Sequence, residues 1–180
     1  MPFGLRPVNR LGAPYPHSMR EYAVNTSTPA MGLYDPVIPQ TDGSVNRITN
    51  PTQTPVGVFL GYRTTTTTGI NSPYNIYYPG SVAGFALIGG IDPDTVYQVE
   101  CSTSLAAADV HNNARLTTTA PSATSGLSQV ALDVSTLNPT QTSASRIVGL
   151  APIVGNDWGV SANVVEVILT NHFYRQTAGV

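Results

Sequence analysis

Three observations predict an all-β fold for this chain of 180 residues. Short apolar or alternating runs recur at spacings of roughly 10 to 20 residues. Turn-forming pairs such as Asp42-Gly43, Pro79-Gly80 and Gly89-Gly90 punctuate them. A helical period surfaces in a single short stretch. The expectation is one antiparallel sandwich or barrel, jelly-roll-like, with at most one short helix and an extended N-terminal arm. Residues 1–22 form the arm and residues 23–180 the β-rich body.

The arm follows from Pro2, Pro7, Pro14 and Pro16, which fix φ and push their predecessors toward extended backbone. Phe3, Leu5, Val8, Leu11 and Tyr15 are spaced along it as apolar anchors. Tyr22–Asn25 is a short strand candidate, and Pro36-Val37-Ile38 precedes a hairpin turn at Thr41-Asp42-Gly43-Ser44. In Val56–Tyr62 the alternation predicts Val56, Val58, Leu60 and Tyr62 on one face, with Gly57 and Gly61 marking a bulge or close packing. The run Arg63–Gly69 reads as an exposed loop or hairpin tip. Ile76-Tyr77-Tyr78 and Val82–Ile88 follow as strands. Thr95–Cys101 alternates, with Tyr97, Val99 and Cys101 core-facing and Val96, Gln98 and Glu100 opposite. Ser104–Val110 is the one helical candidate, with Ser104 as N-cap. Ser128–Val134 alternates again. Arg146–Val154 carries Pro152, which predicts an edge or a bulge. Val164–Leu169 is the strongest β-branched run, and it leads to Asn171-His172-Phe173-Tyr174.

Charge is sparse and uneven. Lysine is absent, and charged residues make up 10% of the chain, against about a quarter in ordinary domains. Arg6, Arg10 and Arg20 precede every acid, so the first twenty side chains carry +3, and five Arg against ten acids leave the rest at −5. With 22 Thr, 14 Ser and 12 Asn, the polar surface is largely uncharged. Surfaces poor in Lys and Glu resemble the centres of protein–protein interfaces. A hydrophobic fraction of 41% argues against disorder.

Catalytic signals are lacking. No nucleophile elbow, phosphate-binding loop, dinucleotide fingerprint or His-Glu-x-x-His pattern occurs. His17, His111 and His172 share no metal-ligand spacing, so neither a catalytic nor a metal site is expected, and no cofactor. Cys101 falls inside an alternating strand and reads as a buried, inert thiol. Asp92-Pro93-Asp94 offers two carboxylates, but the plainer reading is a turn held by Asx hydrogen bonds. Nucleic acid is not an expected partner, because no basic stripe lies beside Tyr74, Tyr77 and Tyr78. A membrane is not expected either, since no apolar run reaches the roughly 18 residues of a transmembrane helix.

Several segments in order carry a resemblance. Pro2-Phe3-Gly4-Leu5-Arg6-Pro7-Val8, Asp35-Pro36-Val37, Val56-Gly57-Val58, Asp92–Glu100 and Leu127–Asp133 resemble a family of capsid decoration, or cement, proteins of tailed bacteriophages. So does the closing series of Arg146–Leu150, Asn156-Asp157-Trp158 and Val165–His172. The resemblance implies an all-β virion protein on the outer capsid surface. Its partner would be the phage major capsid protein, whose neighbouring subunits it cements, acting as a homo-oligomer (dimer or trimer). The arm then nominates Phe3, Leu5, Arg6, Arg10 and Arg20 as capsid contacts. Tyr74, Tyr77, Tyr78, Phe173 and Tyr174 are the candidate oligomer contacts. The alternative from another class is a receptor- or carbohydrate-binding β domain of a phage tail or fibre, with Tyr74, Tyr77, Tyr78 and Trp158 lining a groove. A hydrolase would need two convergent carboxylates.

Overall fold

A computed structural model describes residues 2–11, 18–64, 74–140 and 145–175. Pro14, Tyr15, Pro16, His17 and the run Thr65–Thr68 lie outside the described residues. Within them the chain is nearly all β, and its helical content is two 3-10 turns, Ala107–Asp109 and Phe173–Arg175. No helix there is long and apolar enough to cross a membrane.

The strands in chain order are β1 (Arg6–Arg10), β2 (Met19–Val24), β3 (Met31–Gly32), β4 (Pro36–Pro39), β5 (Val45–Arg47), β6 (Gly57–Thr64) and β7 (Tyr77–Tyr78). They continue with β8 (Gly84–Gly89), β9 (Thr95–Glu100), β10 (Asn113–Leu116), β11 (Leu132–Asn138), β12 (Ser145–Leu150) and β13 (Val164–Leu169). One six-stranded sheet has the order β1-β9-β13-β12-β10-β11, and a five-stranded sheet has the order β2-β8-β6-β4-β5. β3 and β7 form a third, two-stranded ribbon. All pairings between these strands are antiparallel, which gives a sandwich-like arrangement.

Two cores result. The first joins the inner face of the six-stranded sheet (Tyr97, Val99, Leu132, Ile147, Val165, Val167, Leu169) to Ile38, Ile48 and Val58 of the other side. The second lies on the opposite face of the five-stranded sheet and gathers Val24, Val37, Val45, Phe59, Tyr62, Ala86 and Ile88 around Met31 and Tyr78 of the ribbon. Alternate residues of β4 therefore enter different cores, Val37 one and Ile38 the other, because that strand is buried on both faces. The five-stranded sheet curls until its edges meet: Ala23 and Ser44 form a parallel bridge, and the Asn25 side-chain amide donates to Asp42 at 2.7 Å and to Ser44 at 3.3 Å. The predicted hairpin turn at Thr41–Ser44 joins β4 to β5 as expected.

Four local expectations change. Tyr62 does not share a face with Val58 and Leu60, because the register slips between Phe59 and Gly61 and turns Tyr62 to the second core beside Phe59. The slip is the bulge that the glycines signalled, and a Cβ at Gly61 would stand 2.9 Å from the Tyr74 Cβ. Val96, Gln98 and Glu100 are buried as well as their core-facing neighbours, and on that face Gln98 is held between the side chains of Arg6 on β1 and Glu166 on β13. The helix expected over Ser104–Val110 is a single 3-10 turn. The Asp109 carboxylate, not Ser104, caps it by accepting the Ala106 amide at 2.9 Å. Pro152 stands beyond the end of β12, and the irregularity in that strand falls between Ile147 and Gly149.

The N-terminal segment departs most from expectation. It is extended, but it belongs to the body: β1 is an edge strand of the six-stranded sheet, paired with β9 through Arg6–Gln98 and Pro7–Tyr97. Part of the nominal arm, Met19–Tyr22, likewise lies in β2. The physical reason is Leu5, whose side chain is fully buried in the first core and fastens the segment to its own chain.

Candidate interaction surfaces

The seat of the N-terminal strand is built residue by residue. The Gly4 amide donates to the Val130 carbonyl at 3.2 Å and the Leu5 amide to the Tyr34 carbonyl at 3.0 Å. Gly4 has φ of 80°, and a Cβ there would lie 2.4 Å from the Tyr34 oxygen, so only glycine fits. Tyr34 holds a left-handed φ of 70° that aims this carbonyl at the incoming strand. Outside the core, the Arg6 guanidinium donates to Gln98 and lies 5.7 Å from the Phe3 ring centroid. Gln98 in turn donates to Glu166 at 3.4 Å. At the far end Arg10 pairs with Asp92 at 3.3 Å and Asp94 at 3.8 Å, and Arg175 closes the same cluster on Asp94.

This geometry sorts the five residues nominated for capsid contact. Leu5 is excluded as an outward contact by its burial. Arg10 is engaged by two carboxylates, Phe3 is half-buried, and Arg6 is exposed but holds Gln98. Arg20 is exposed over the Tyr22 ring at 5.7 Å. Asp92-Pro93-Asp94 is the Asx turn that was expected: Asp92 accepts the Asp94 amide at 2.9 Å through its carboxylate and the Thr95 amide at 3.0 Å through its carbonyl.

The aromatic candidates also separate. Tyr78 is not a surface residue: it is fully buried, meets Tyr62 edge-on at 4.7 Å and donates to the Val82 carbonyl at 2.8 Å. Tyr77 is half-buried, and Phe173 packs half-buried on the second core. Tyr74 and Tyr174 are exposed. Trp158 packs against the first core, whereas Tyr78 belongs to the second, so the four aromatics proposed for a ligand groove do not line a common one. Tyr74 donates to Glu21, which Arg63 also grips in a fork at 2.6 and 3.0 Å. Arg63 and Tyr74 hold the Glu21 carboxyl at about 2, and the Arg63 guanidinium rests 4.8 Å over the Phe85 ring. Tyr174 meets the Tyr22 hydroxyl at 2.8 Å.

Cys101, Asp35 and His172 are among the buried titratable groups. Burial, with Glu100 beside it, pushes the Cys101 thiol up to about 12, which leaves it inert as expected. Burial raises the Asp35 carboxyl to about 6, although it accepts the Gly32 amide at 2.8 Å and has Ser128 and Arg47 nearby. His172, fully buried, accepts the Tyr174 amide on Nδ1 at 3.2 Å, and burial together with Arg175 lowers it to about 4. Among the described residues no three His, Cys, Asp or Glu side chains converge on a possible metal position.

One surface escaped the sequence reading. Between β12 and β13, the loop over residues 151–163 exposes Ile153 (41%), Val154 (104%) and Val160 (40%). The loop is firmly anchored. Asn156 donates to the carbonyls of Ala151 at 2.9 Å and Val164 at 2.7 Å and accepts the Val164 amide at 2.9 Å. Buried Asn163 bonds both the amide and the carbonyl of Leu105, at 3.2 and 3.0 Å, and the Gly159 amide reaches the same carbonyl at 2.9 Å. Apolar residues here fit the strand pattern in sequence, so their exposure is legible only once β12 ends at Leu150. No protein-family profile, curated protein or solved structure matches the chain.

Proposed function

We propose that the chain is a structural, non-enzymatic virion protein that binds the outer surface of a phage capsid and cements neighbouring major capsid subunits. The observation that carries this reading is the pairing of a charge-poor body with a rigidly held apolar tip at Ile153, Val154 and Val160. Apolar side chains fixed on an ordered loop lose little entropy on docking, and many such contacts repeated over a symmetric shell add by avidity. The guanidinium groups at Arg10, Arg63 and Arg175 are meanwhile matched by this chain's own carboxylates, which suits contact by shape and apolar area. The order of family-like sequence segments agrees with that reading.

Purified chain added to undecorated heads of its phage tests it, with occupancy read by electron microscopy. The double substitution Ile153→Asp/Val154→Asp lies on the exposed loop and should lower occupancy at least about tenfold, since charged groups would have to be desolvated. Binding of the unaltered chain to tails or to glycans, with bare shells, would replace this reading with the receptor-binding one. Full occupancy by the doubly substituted chain would remove the loop from it.

A further inference from the structure

Asp35-Pro36, at the start of β4, carries a chemistry that the capsid role does not use. We propose that the chain cuts its own backbone there, the Asp35 carboxyl attacking the main-chain carbonyl of the same residue. Four features of the site carry this. The side chain is 1% exposed and its Oδ1 accepts no hydrogen bond, which leaves one carboxyl oxygen without a structural task. Oδ2 accepts the Gly32 amide at 2.8 Å, and this holds the carboxyl in place. The carbonyl under attack accepts the Phe59 amide at 2.8 Å, a donor already set where negative charge develops as the carbon becomes tetrahedral. The leaving nitrogen is that of Pro36, a tertiary amide with no N–H, which takes up a proton more readily than an ordinary peptide.

The step balances with water as the one co-reactant. The carboxyl proton passes to the Pro36 nitrogen, and Oδ1 adds to the Asp35 carbonyl carbon. The C–N bond then breaks, and its electron pair stays on the protonated nitrogen. A five-membered cyclic anhydride is left on Asp35, and one water molecule opens it to two carboxyl groups. Nothing is oxidised or reduced, and each chain reacts once. Attack within a single residue draws on proximity. Burial supplies the reactive protonation state by raising the carboxyl from 3.8 to about 6. The charged group that faces it, Arg47 of β5, directs Nη1 to the carbonyls of Ile48 and Thr118, both at 3.2 Å, and the Ser128 hydroxyl is a further polar neighbour. The chain's other Asp-Pro pair is an internal control. Both Asp92 carboxylate oxygens are occupied, one by Arg10 at 3.3 Å and the other by the Asp94 amide at 2.9 Å. After the cut, β1 and β2 remain paired with β9 and β8, so the two pieces stay together.

The test incubates the full-length chain at pH 5 and pH 7, folded or in unfolding urea, and follows fragments by mass spectrometry. Folded chain at pH 5 should yield residues 1–35 and 36–180, separate on a denaturing gel and together on a native one, with Asp92-Pro93 uncut. The protonated fractions set the rates: the cut should slow about tenfold at pH 7, and about fifteenfold in urea at pH 5. In urea the two Asp-Pro bonds should then break at equal rates. Asp35→Ala removes the attacking oxygen, and Pro36→Ala keeps it but leaves an ordinary amide; each should slow the cut at least about tenfold. The urea comparison uses the unaltered chain, so it decides the matter even if a variant misfolds. A folded chain that gives no fragment starting at Pro36 overturns the proposal. So does equal cutting at both Asp-Pro bonds of the folded chain, a rate that urea leaves unchanged, or a folded Asp35→Ala chain that cuts as fast as the parent.

Discussion

Replacing Asp35 by Asn should convert a protein whose stability barely changes between pH 7 and 4.5 into one that weakens steadily on acidification. Asp35 has its folded-state value raised from 3.8 to about 6. Between those values the folded chain holds a proton that the unfolded chain has released, so this group destabilises the fold at neutral pH and ceases to do so as pH falls. His172 has the opposite sign: its folded value drops from 6.5 to about 4. There the unfolded chain holds the extra proton, so stability present above pH 6.5 is lost on the way down. At about 1.4 kcal/mol per pH unit per proton, from pH 7 to 4.5 Asp35 returns about 2 kcal/mol and His172 removes about 2 kcal/mol. The two nearly cancel. The groups that bear on them are Arg47 for Asp35, and Arg175 and Asp92 for His172. Asp35→Asn keeps an acceptor for the Gly32 amide and leaves the His172 slope bare. Urea unfolding at fixed ionic strength should show it more stable than the parent at pH 7, then losing about 2 kcal/mol by pH 4.5. His172→Asn keeps an acceptor for the Tyr174 amide, and it should gain about 2 kcal/mol over the same interval. Parallel slopes for parent and Asp35→Asn would refute the assignment.

Gly4→Ala should destabilise more than an ordinary glycine substitution, because it meets both a positive φ and the Tyr34 carbonyl, and Leu5→Ala should cost about 2–5 kcal/mol in the same urea assay. Arg6→Ala, on the exposed side of the same strand, should cost under about 1 kcal/mol. Cys101 should resist a thiol reagent until the chain unfolds, so its modification rate should track urea and rise in step with loss of structure; prompt labelling of folded protein would place the thiol elsewhere.

Much of the fold was legible because strand patterning is local. The alternation in Thr95–Cys101 and the β-branched run at Val164–Leu169 identify β9 and β13, and Asp42-Gly43 marks a hairpin. What the pattern cannot carry is the second neighbour of a strand. Gln98 and Glu100 are polar, and sequence places them outward, yet both are buried, and Arg6 and Glu166 of the flanking strands bond Gln98. β3, β5 and β10 are two to four residues long, too short for any period to emerge. Tyr78 looked like surface material for the same kind of reason: a tyrosine whose hydroxyl finds a carbonyl is as stable inside as out, and Val82 supplies that carbonyl. The exposed tip at Ile153 and Val154 was hidden because apolar residues in a predicted strand are read as core.

The uneven arginine distribution acquires a different meaning from this. A basic, apolar-studded N-terminus beside an acidic body reads as a hold on a foreign surface, but the acids it meets are Asp92 and Asp94 of its own chain and the pocket it fills is lined by that chain's core. Truncating the first ten residues therefore removes a strand and a buried leucine together, and any loss of shell binding would follow from damaged folding or assembly as readily as from a lost contact. Surface contact is separable only where the backbone is fixed independently of the partner. The Asn156- and Asn163-anchored loop meets that condition, and β1 does not. β1 and the loop thus answer different questions: one asks what completes the fold, the other what the completed fold touches.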